Sequence, residues 1–513
     1  MVSKPKNMQT KPSFFKQFSV YSDRRAFTML LLGFAAGMPL LLIFSTLSLW
    51  LSEAGIEKKT VTMFSWAALG YSFKFVWAPL IDSLPLPYLS RTLGKRRAWL
   101  FLAQVLVIAA IIAMGSIDPQ NPQQLAAMAM AAVLLGFSAA TQDIVIDAYR
   151  IEIAPNDHAM QTVMSSTYTV GYRLGLIAAG AGSLLLAEYW GSTKAHYLYD
   201  AWRNTYWVMA AMMAIGLATT LWMREPEHQK QPAPVKAQHS LRLLALFLVS
   251  VSVFVAVFRH AGVLLPAADN APLQAFAWES LRLGASLAAA VGAGCLAVKC
   301  CLAPSELVRQ TWIAPVADFF HRYGKRAILL LALIGLYRVS DIVAGVISNV
   351  FYDNMGFSKE EIAYAVKSFG IVMSIAGGFV GGLLAQKYKI MSMMMLGAIA
   401  TAATNLLFIL LALRGHDVPL MYLAVGIDNL AGGFASTVFV VFLSGLTNIR
   451  FTAVQYALLS SLMTLSPKIL GGYSGAMASQ LGYPTFFLLT ALMGVPILLL
   501  VYLTNRYIIK PSS

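Results

Sequence analysis

The chain has 513 residues, of which 58% are hydrophobic and only 12% charged, with a formal charge of +15. Soluble domains hold roughly a quarter charged residues, so this composition excludes an ordinary water-soluble protein and indicates a polytopic membrane protein. The positive balance then reads as Lys and Arg gathered on the cytoplasmic side, and no nucleic-acid partner is expected.

Residues 1–25 form a basic tail with Lys4, Lys6, Lys11, Lys16, Arg24 and Arg25. The tail leads into an apolar run over 26–51, too long for the core of a cleaved signal and without a clear small-residue cleavage site. We take this run as the first span. Further spans are predicted at 60–81, 98–116, 124–149, 161–187, 204–223, 241–262, 275–299, 327–351, 360–386, 391–413, 418–446, 452–477 and 484–505. Helix-plus-loop units of about 35 residues lead to the same total of about fourteen.

An even number of spans puts both termini on one side. Lys and Arg crowd segments 1–25, 91–97, 224–242 and 299–326. In the alternate loops stand only Lys58, Lys59, Lys194, Arg203, Lys359 and Arg414, with Arg259 and Arg282 in the central pair. The asymmetry predicts cytoplasmic N- and C-termini.

A faint repeat runs through the chain. Arg25-Ala26 recurs as Arg326-Ala327, and the same offset aligns Gly55 with Gly356 and Lys58 with Lys359. Further on, Ser165-Ser166 aligns with Ser460-Ser461, and Arg173 with Lys468. Six spans, two extra spans and six more make the pattern of two parallel transporter halves around a cavity. The predicted organisation is an all-α chain with a tail (1–25), a six-helix bundle (26–223), a polar linker (224–240) and two extra helices (241–299). A second cytoplasmic linker (300–326), a second six-helix bundle (327–505) and a short tail (506–513) complete it.

Cys295, Cys300 and Cys301 cluster at one end of a central span and form neither a disulfide framework nor a metal pattern. All seven histidines fall in loops or near span ends. A membrane enzyme with a buried His base is therefore disfavoured, and no metal or cofactor is expected.

Charged groups inside spans cost about 2.5–3.5 kcal/mol each on insertion scales and usually face a cavity or a partner. The fourth predicted span ends SAATQDIVIDAYR, with Gln142, Asp143 and Asp147 followed by Arg150. Asp143 and Asp147 share a face, being one turn apart. Asp143 lies seven residues from Arg150, about 10 Å along the axis. Asp147 is closer to the interface. Lys74 stands eight residues before Asp82, at nearly the depth of Asp143. A Lys74–Asp143 pair is expected as the proton-coupling site, because burial raises a carboxylate's pKa while a cation lowers it. A static pair that only joins two spans is the other reading of the same residues.

The loop after the second span reads PLIDSLPLPYLSRTLGKRRAWL. Asp82 and the Gly94-Lys95-Arg96-Arg97 cluster resemble the signature loop of the major facilitator superfamily, stretched by extra residues. Asp82, Arg96, Arg97, Asp147 and Arg150 are the expected inner gate, with plain positive-inside anchoring as the alternative for the arginines.

Arg173 and Lys468, as repeat mates near the midplane, would suit a substrate with carboxylates. Arg338 and Asp341, three residues apart, are expected to neutralise each other. Asp428, Asn429 and Gln142 are candidate substrate partners, and Trp66 and Tyr172 candidate stacking surfaces for a sugar. Such aromatics more often fill a bundle core. Gly33 and Gly37 with Pro39, and Gly377-Gly378 with Gly381-Gly382, mark close helix packing.

The stretches LGFAAGMPL (32–40), YSFKFVWAPLID (71–82), GKRRAWL (94–100), SAATQDIVIDAYRIEI (138–153) and GYRLG (171–175) resemble the AmpG muropeptide permease family of the major facilitator superfamily. APVADFF (314–320) and LYRVSD (336–341) resemble it too. The resemblance covers the chain except for the tail and, weakly, the central pair. It implies a major facilitator fold with two additional helices. It also implies proton-driven import of N-acetylglucosaminyl-1,6-anhydro-N-acetylmuramyl peptides; a monomer is the expected working unit. Such import feeds peptidoglycan recycling and, where the circuit exists, β-lactamase induction. Gln142, Asp143 and Asp147 match the family's QD-x-x-x-D stretch. An acetyl-CoA carrier, a drug exporter and, from another class, a polytopic sensor or membrane enzyme remain as alternatives.

Overall fold

The computed structural model describes residues 20–56, 69–121, 123–155, 157–193, 196–227, 237–264, 272–471 and 473–509. Regular structure among them is helical, apart from one isolated bridge between Thr193 and His196. Twelve helical stretches among the described residues are long and apolar enough to cross a membrane. Two of the fourteen expected spans are not among these. Segment 60–81 falls partly outside the described residues, and 452–477 is helical over Thr452–Gly471 and Ser474–Leu481.

The chain divides into two units. The first contains residues up to Phe75, Leu86–His228 and Tyr323–Ser513, and therefore both predicted halves. Its N-terminal helices are α1 (Arg24–Ile43), α2 (Ser45–Glu53) and α3 (Leu69–Phe73), the last followed by a 3₁₀ turn over Lys74–Val76. The second unit contributes the next helix, α4 (Ala78–Ser83). The first unit resumes with α5 (Leu89–Leu93), α6 (Lys95–Gly115), α7 (Leu125–Glu152), α8 (His158–Ile177), α9 (Ser183–Tyr189) and α10 (Tyr199–Trp222).

The first expected span is in fact two helices. Phe44, at φ −95° and ψ −89°, ends α1 five residues after Pro39, which has no N–H to offer the helix. A wide turn over Ala178–Gly182 joins α8 to α9, and the Thr46 hydroxyl donates to the Ala179 carbonyl at 2.8 Å.

The second unit holds Val76–Pro85 and Gln229–Arg322. Its hairpin pairs α11 (Ala237–Leu264) with α12 (Pro272–Lys299). Arg282 on α12 donates to the Phe258 carbonyl at 2.7 Å and lies over the Phe258 ring, which satisfies a charge inside an apolar hairpin. The linker expected over 300–326 is largely helix: α13 (Ser305–Val308), a wide turn at Arg309–Ile313 and α14 (Ala314–Tyr323). The reason is amphipathic spacing. Thr311, Pro315 and Phe319 recur every four residues and are buried, while Arg309 and Glu306 are exposed. Trp312 Nε1 donates to the Val76 carbonyl at 3.1 Å and ties this segment to the chain beside α4.

The C-terminal half of the first unit runs α15 (Ala327–Leu336), α16 (Val339–Asn354), α17 (Lys359–Ile362), α18 (Gly370–Lys387), α19 (Ile390–Arg414) and α20 (Val418–Leu446). It ends with α21 (Thr452–Gly471), α22 (Ser474–Leu481) and α23 (Tyr483–Thr504). The two halves pack alike. In the N-terminal half α1 packs on α8, and α10 on α6; in the C-terminal half α15 and α16 pack on α21, and α23 on α19. Contacts between halves come in related pairs, α8 with α18 and α20, and α21 with α3 and α7.

Each half has its own aromatic core. Trp50 stacks on Trp202 and meets Tyr206 in one, and Phe351 meets Phe408, Tyr483 and Phe487 in the other. The offset that carries Arg25-Ala26 to Arg326-Ala327 also carries Trp50 to Phe351.

Small residues let backbones touch. A methyl group at Gly33 would stand 2.3 Å from the Tyr168 carbonyl oxygen, and one at Gly171 would stand 2.0 Å from that of Leu30. In the C-terminal half a methyl at Gly377 meets the Leu430 carbonyl oxygen at 2.0 Å, and one at Gly433 meets that of Ser374 at 2.0 Å. Only glycine permits these approaches.

Candidate functional site

The polar stretch of α7 is buried along its whole length from Ser138 to Glu152. Gln142 is fully enclosed, and neither atom of its amide has a hydrogen-bond partner among the described residues. Asp143 Oδ1, Ser138 Oγ and the Tyr71 hydroxyl are likewise unpartnered among the described residues. Buried polar groups are nearly always bonded, so this concentration makes the stretch the candidate site.

Lys74 sits in the 3₁₀ turn after α3, where α3 packs on α7. Its ammonium pairs with Asp147 at 3.7 Å, not with Asp143. The expected Lys74–Asp143 pair is thus corrected by one helical turn. Equal depth by residue count assumed a continuous helix, whereas Lys74 opens a 3₁₀ turn. Asp143 remains close enough for Lys74 to act on it electrostatically. Asp147, like Asp143, is buried within the protein.

Asp147 also accepts from Arg150 at 3.2 Å. Arg150 is fully buried and reaches three helices beyond its own. It donates to Ser165 on α8 at 2.7 Å and to Ser444 on α20 at 3.0 Å, and it lies over the Tyr456 ring of α21. Gln161 supports this end of α7 by donating to the carbonyls of Arg150, Ile151 and Ala154.

The remaining expected gate residues take different partners. Arg96 pairs with Glu152 through Nε at 2.9 Å, deep in the N-terminal half. The backbone N–H groups of Arg96 and Arg97 donate to the two oxygens of Glu225 at 2.7 and 3.0 Å. Glu225, from the segment after α10, thereby caps the start of α6, a position rich in unpaired N–H donors. Gly94 has φ +87°, and a methyl there would lie 2.5 Å from the Glu225 side chain. Burial pushes the Glu225 carboxyl up from its ordinary range, against the pull of the two N–H donors.

Arg97 caps the end of α10 through the Thr220 and Leu221 carbonyls. A cavity of about 540 Å³ opens beside these groups, lined by Arg24, Tyr149, Glu152, Arg224, Glu225 and Glu227 among others. Asp82 lies on α4, in the second unit. Glu152 and Glu225 were not recognised as partners from sequence. A carboxylate two residues past Arg150, and REPEH following an apolar span, were the available signals.

In the C-terminal half the helix breaks at Tyr337-Arg338, between α15 and α16. Arg338 pairs with Asp341, and its Nη1 donates to Ser436 on α20 at 2.6 Å. Asp428 accepts from Thr404 at 2.8 Å, and Asn429 donates to the Val425 carbonyl of its own helix at 2.9 Å. Arg173 has no ion pair or hydrogen bond among the described residues, and Arg338 and Asp341 are the ionised groups acting on it. Tyr172 stacks loosely with Tyr168 on α8. Trp66 and the side chain of Lys468 lie outside the described residues.

The sequence matches the Major Facilitator Superfamily over residues 26–337. The chain belongs to the Major Facilitator Superfamily. Among individual members it is 29% identical to the anhydromuropeptide permease of Escherichia coli K12, over 95% of this chain and 81% of that one. It is also 29% identical to the putative transporter AmpG 4 of Rickettsia conorii, over 95% of this chain and 98% of the relative. The superfamily fold recurs in the proton:xylose symporter XylE, with a TM-score of 0.59, 14% identity and 96% of each chain covered. It recurs also in the transporter FucP in its outward conformation, with a TM-score of 0.58, 11% identity, and 94% of this chain and 98% of that one covered. Membership makes the protein a multi-pass membrane transporter, not an enzyme.

Proposed function

We propose that the protein is an inner-membrane secondary transporter that imports anhydro-muropeptides by proton symport with alternating access. The substrate class follows the relatives that align along nearly the full chain, one of them an anhydromuropeptide permease. The observation that carries the site is the buried polar stretch of α7, where the Gln142 amide and Asp143 Oδ1 lack partners among the described residues beside a lysine.

Asp143 is the proton acceptor. Its unbonded oxygen, enclosed near Lys74, can exist neutral or charged with little rearrangement. Arg173, without a counter-ion among the described residues, takes a peptide carboxylate of the substrate, with Lys468 as its repeat mate. Asp428, Asn429, Tyr172 and Trp66 complete the groups of suitable chemistry. Gln142 is enclosed here, so it meets a sugar or peptide amide after the helices rearrange. The proton gradient is the driving force, no cofactor takes part, and the monomer is the working unit. The basic end of the bundle, where α1, α6 and α8 begin, faces the cytoplasm together with both termini. Import supplies peptidoglycan recycling and, where the host has the circuit, β-lactamase induction.

Uptake of radiolabelled GlcNAc-anhydro-MurNAc tripeptide into right-side-out vesicles with an acid-outside gradient tests the reading. Accumulation that an uncoupler abolishes is expected. Uncoupler-insensitive uptake would remove the proton, and no uptake would remove the substrate.

A further inference from the structure

The cavity beside the start of α1 is walled by charged groups, and most of them are already engaged. Glu152 is held by Arg96, Glu225 by two backbone N–H groups, and Asp23 by Arg25 at 2.9 Å. Two charges of opposite sign are left over. Arg224 and Glu227 line the cavity, are exposed, and make no ion pair or hydrogen bond among the described residues. Arg24 is engaged only in part: it donates to the Trp222 carbonyl and lies over the Trp222 ring at 4.1 Å. A guanidinium has five N–H donors, so Arg24 has others to offer. The wall also holds Tyr149, whose side chain is enclosed at 2% exposure. Its hydroxyl makes no hydrogen bond among the described residues, and Glu225, Arg24, Arg97 and Arg25 are the ionised groups acting on it. An enclosed hydroxyl without a partner, set among the charges of an open cavity, points to a ligand.

We propose that this cavity binds a small soluble zwitterion, a short peptide with a free ammonium and a free carboxylate. Arg224 and Arg24 take the carboxylate, Glu227 takes the ammonium, and the Tyr149 hydroxyl bonds the peptide amide. Both charges are needed. A plain anion would leave Glu227 facing it, and a plain cation would face two arginines. The volume of about 540 Å³ falls in the range of small-ligand pockets and holds a peptide of about two or three residues. The ligand comes from water because of where the walls lie. Asp23 precedes α1, Ile153 and Pro155 follow α7, and Arg224, Glu225 and Glu227 follow α10, so the opening lies past the membrane-crossing stretches. A bound peptide would link the start of α1 to the segment after α10. None of the residues assigned above to the proton or the transported substrate takes part, so the site stands or falls apart from the proposed function.

The test is direct binding of the dipeptide L-Ala-L-Ala to the full chain in detergent micelles, followed by calorimetry. A Kd of about 1 mM or tighter is expected. N-acetyl-Ala-Ala, which lacks the ammonium, and Ala-Ala-amide, which lacks the carboxylate, should each bind about tenfold more weakly. Arg224→Gln should weaken Ala-Ala about tenfold and bind the amide no more weakly than the parent does. Glu227→Gln should weaken Ala-Ala to a similar degree and bind the N-acetyl peptide no more weakly than the parent does. A general loss of structure would not give this crossed pattern. Both residues are exposed and without partners among the described residues, so both variants should melt with the parent when no peptide is present. Tyr149→Phe should weaken Ala-Ala about threefold or more. In nanodiscs the affinity should be the same with phosphatidylglycerol alone and with phosphatidylethanolamine added. Loss of binding on adding phosphatidylethanolamine would give the cavity to a lipid headgroup and overturn the soluble ligand. No binding of Ala-Ala up to about 10 mM, or equal weakening of all three peptides in both variants, would overturn the site.

Discussion

Two Arg–Asp pairs in this protein share a spacing and little else. Asp147–Arg150 and Arg338–Asp341 are each separated by three residues, and each lies within a membrane-crossing stretch. The second closes largely on itself, with Ser436 as the only further hydrogen-bond partner of Arg338 among the described residues. The first is held from outside: Lys74 comes to the carboxylate, while Ser165, Ser444 and Tyr456 come to the guanidinium. A local pair neutralises a charge where it stands. A pair with distant third partners transmits a change of charge, because each partner belongs to a different helix.

The comparison can be broken most sharply at Asp143, one turn above the connected pair. Asp143→Asn should lower gradient-driven accumulation by more than about tenfold while leaving substrate exchange measurable, as expected when a coupled step and not binding is lost. Asp428→Asn, near the self-contained pair, should not uncouple; equal uncoupling by both would erase the distinction.

Stability separates the pairs next. Asp147→Asn leaves two buried cations short of a carboxylate and should cost about 3–5 kcal/mol in thermal or denaturant unfolding. Asp341→Asn, at a more exposed pair with side chains 21% and 14% accessible, should cost roughly half as much. A similar contrast applies to glycines. Gly171→Ala, with its methyl 2.0 Å from the Leu30 carbonyl oxygen, should destabilise by about 1–3 kcal/mol. Gly445→Ala in α20 meets nothing within 4 Å and should lie within about 0.5 kcal/mol of the parent.

The smallest effect concerns pH at the basic end. Glu225 has a raised folded-state pKa, so its contribution is full below its ordinary value of 4.5 and is lost as pH rises through the folded value. Asp23, held down by Arg25, behaves oppositely: its contribution is present above its ordinary value of 3.8 and is lost as pH falls through the folded value. Melting midpoints against pH should therefore change slope in opposite senses in Glu225→Gln and Asp23→Asn. The Asp23 change should be the smaller, because that pair is partly exposed.

Much of the fold was legible because a membrane imposes simple rules. Apolar runs, loop charges and a faint repeat were enough to expect two six-helix halves, and the paired helix contacts and the Trp50–Phe351 correspondence follow the same repeat. The helices within the linker over 300–326 were not legible, because short amphipathic helices resemble polar loops when charges are counted without their period. At the site, Gln142, Asp143, Asp147 and Arg150 stood out because charge inside an apolar run is costly. Ser165, Ser444 and Tyr456 could not stand out, being ordinary residue types for a bundle core.

By itself the sequence determined which residues must cross the membrane and which polar side chains would need partners there, since both follow from transfer free energy and helical period. Which partner each one took was decided by tertiary structure. Lys74, in a 3₁₀ turn, meets Asp147 and not Asp143, and packing across the halves gave Arg150 its second set of contacts. Distances of a few ångströms between helices far apart in the chain fix those choices, and residue spacing along one helix carries no information about them.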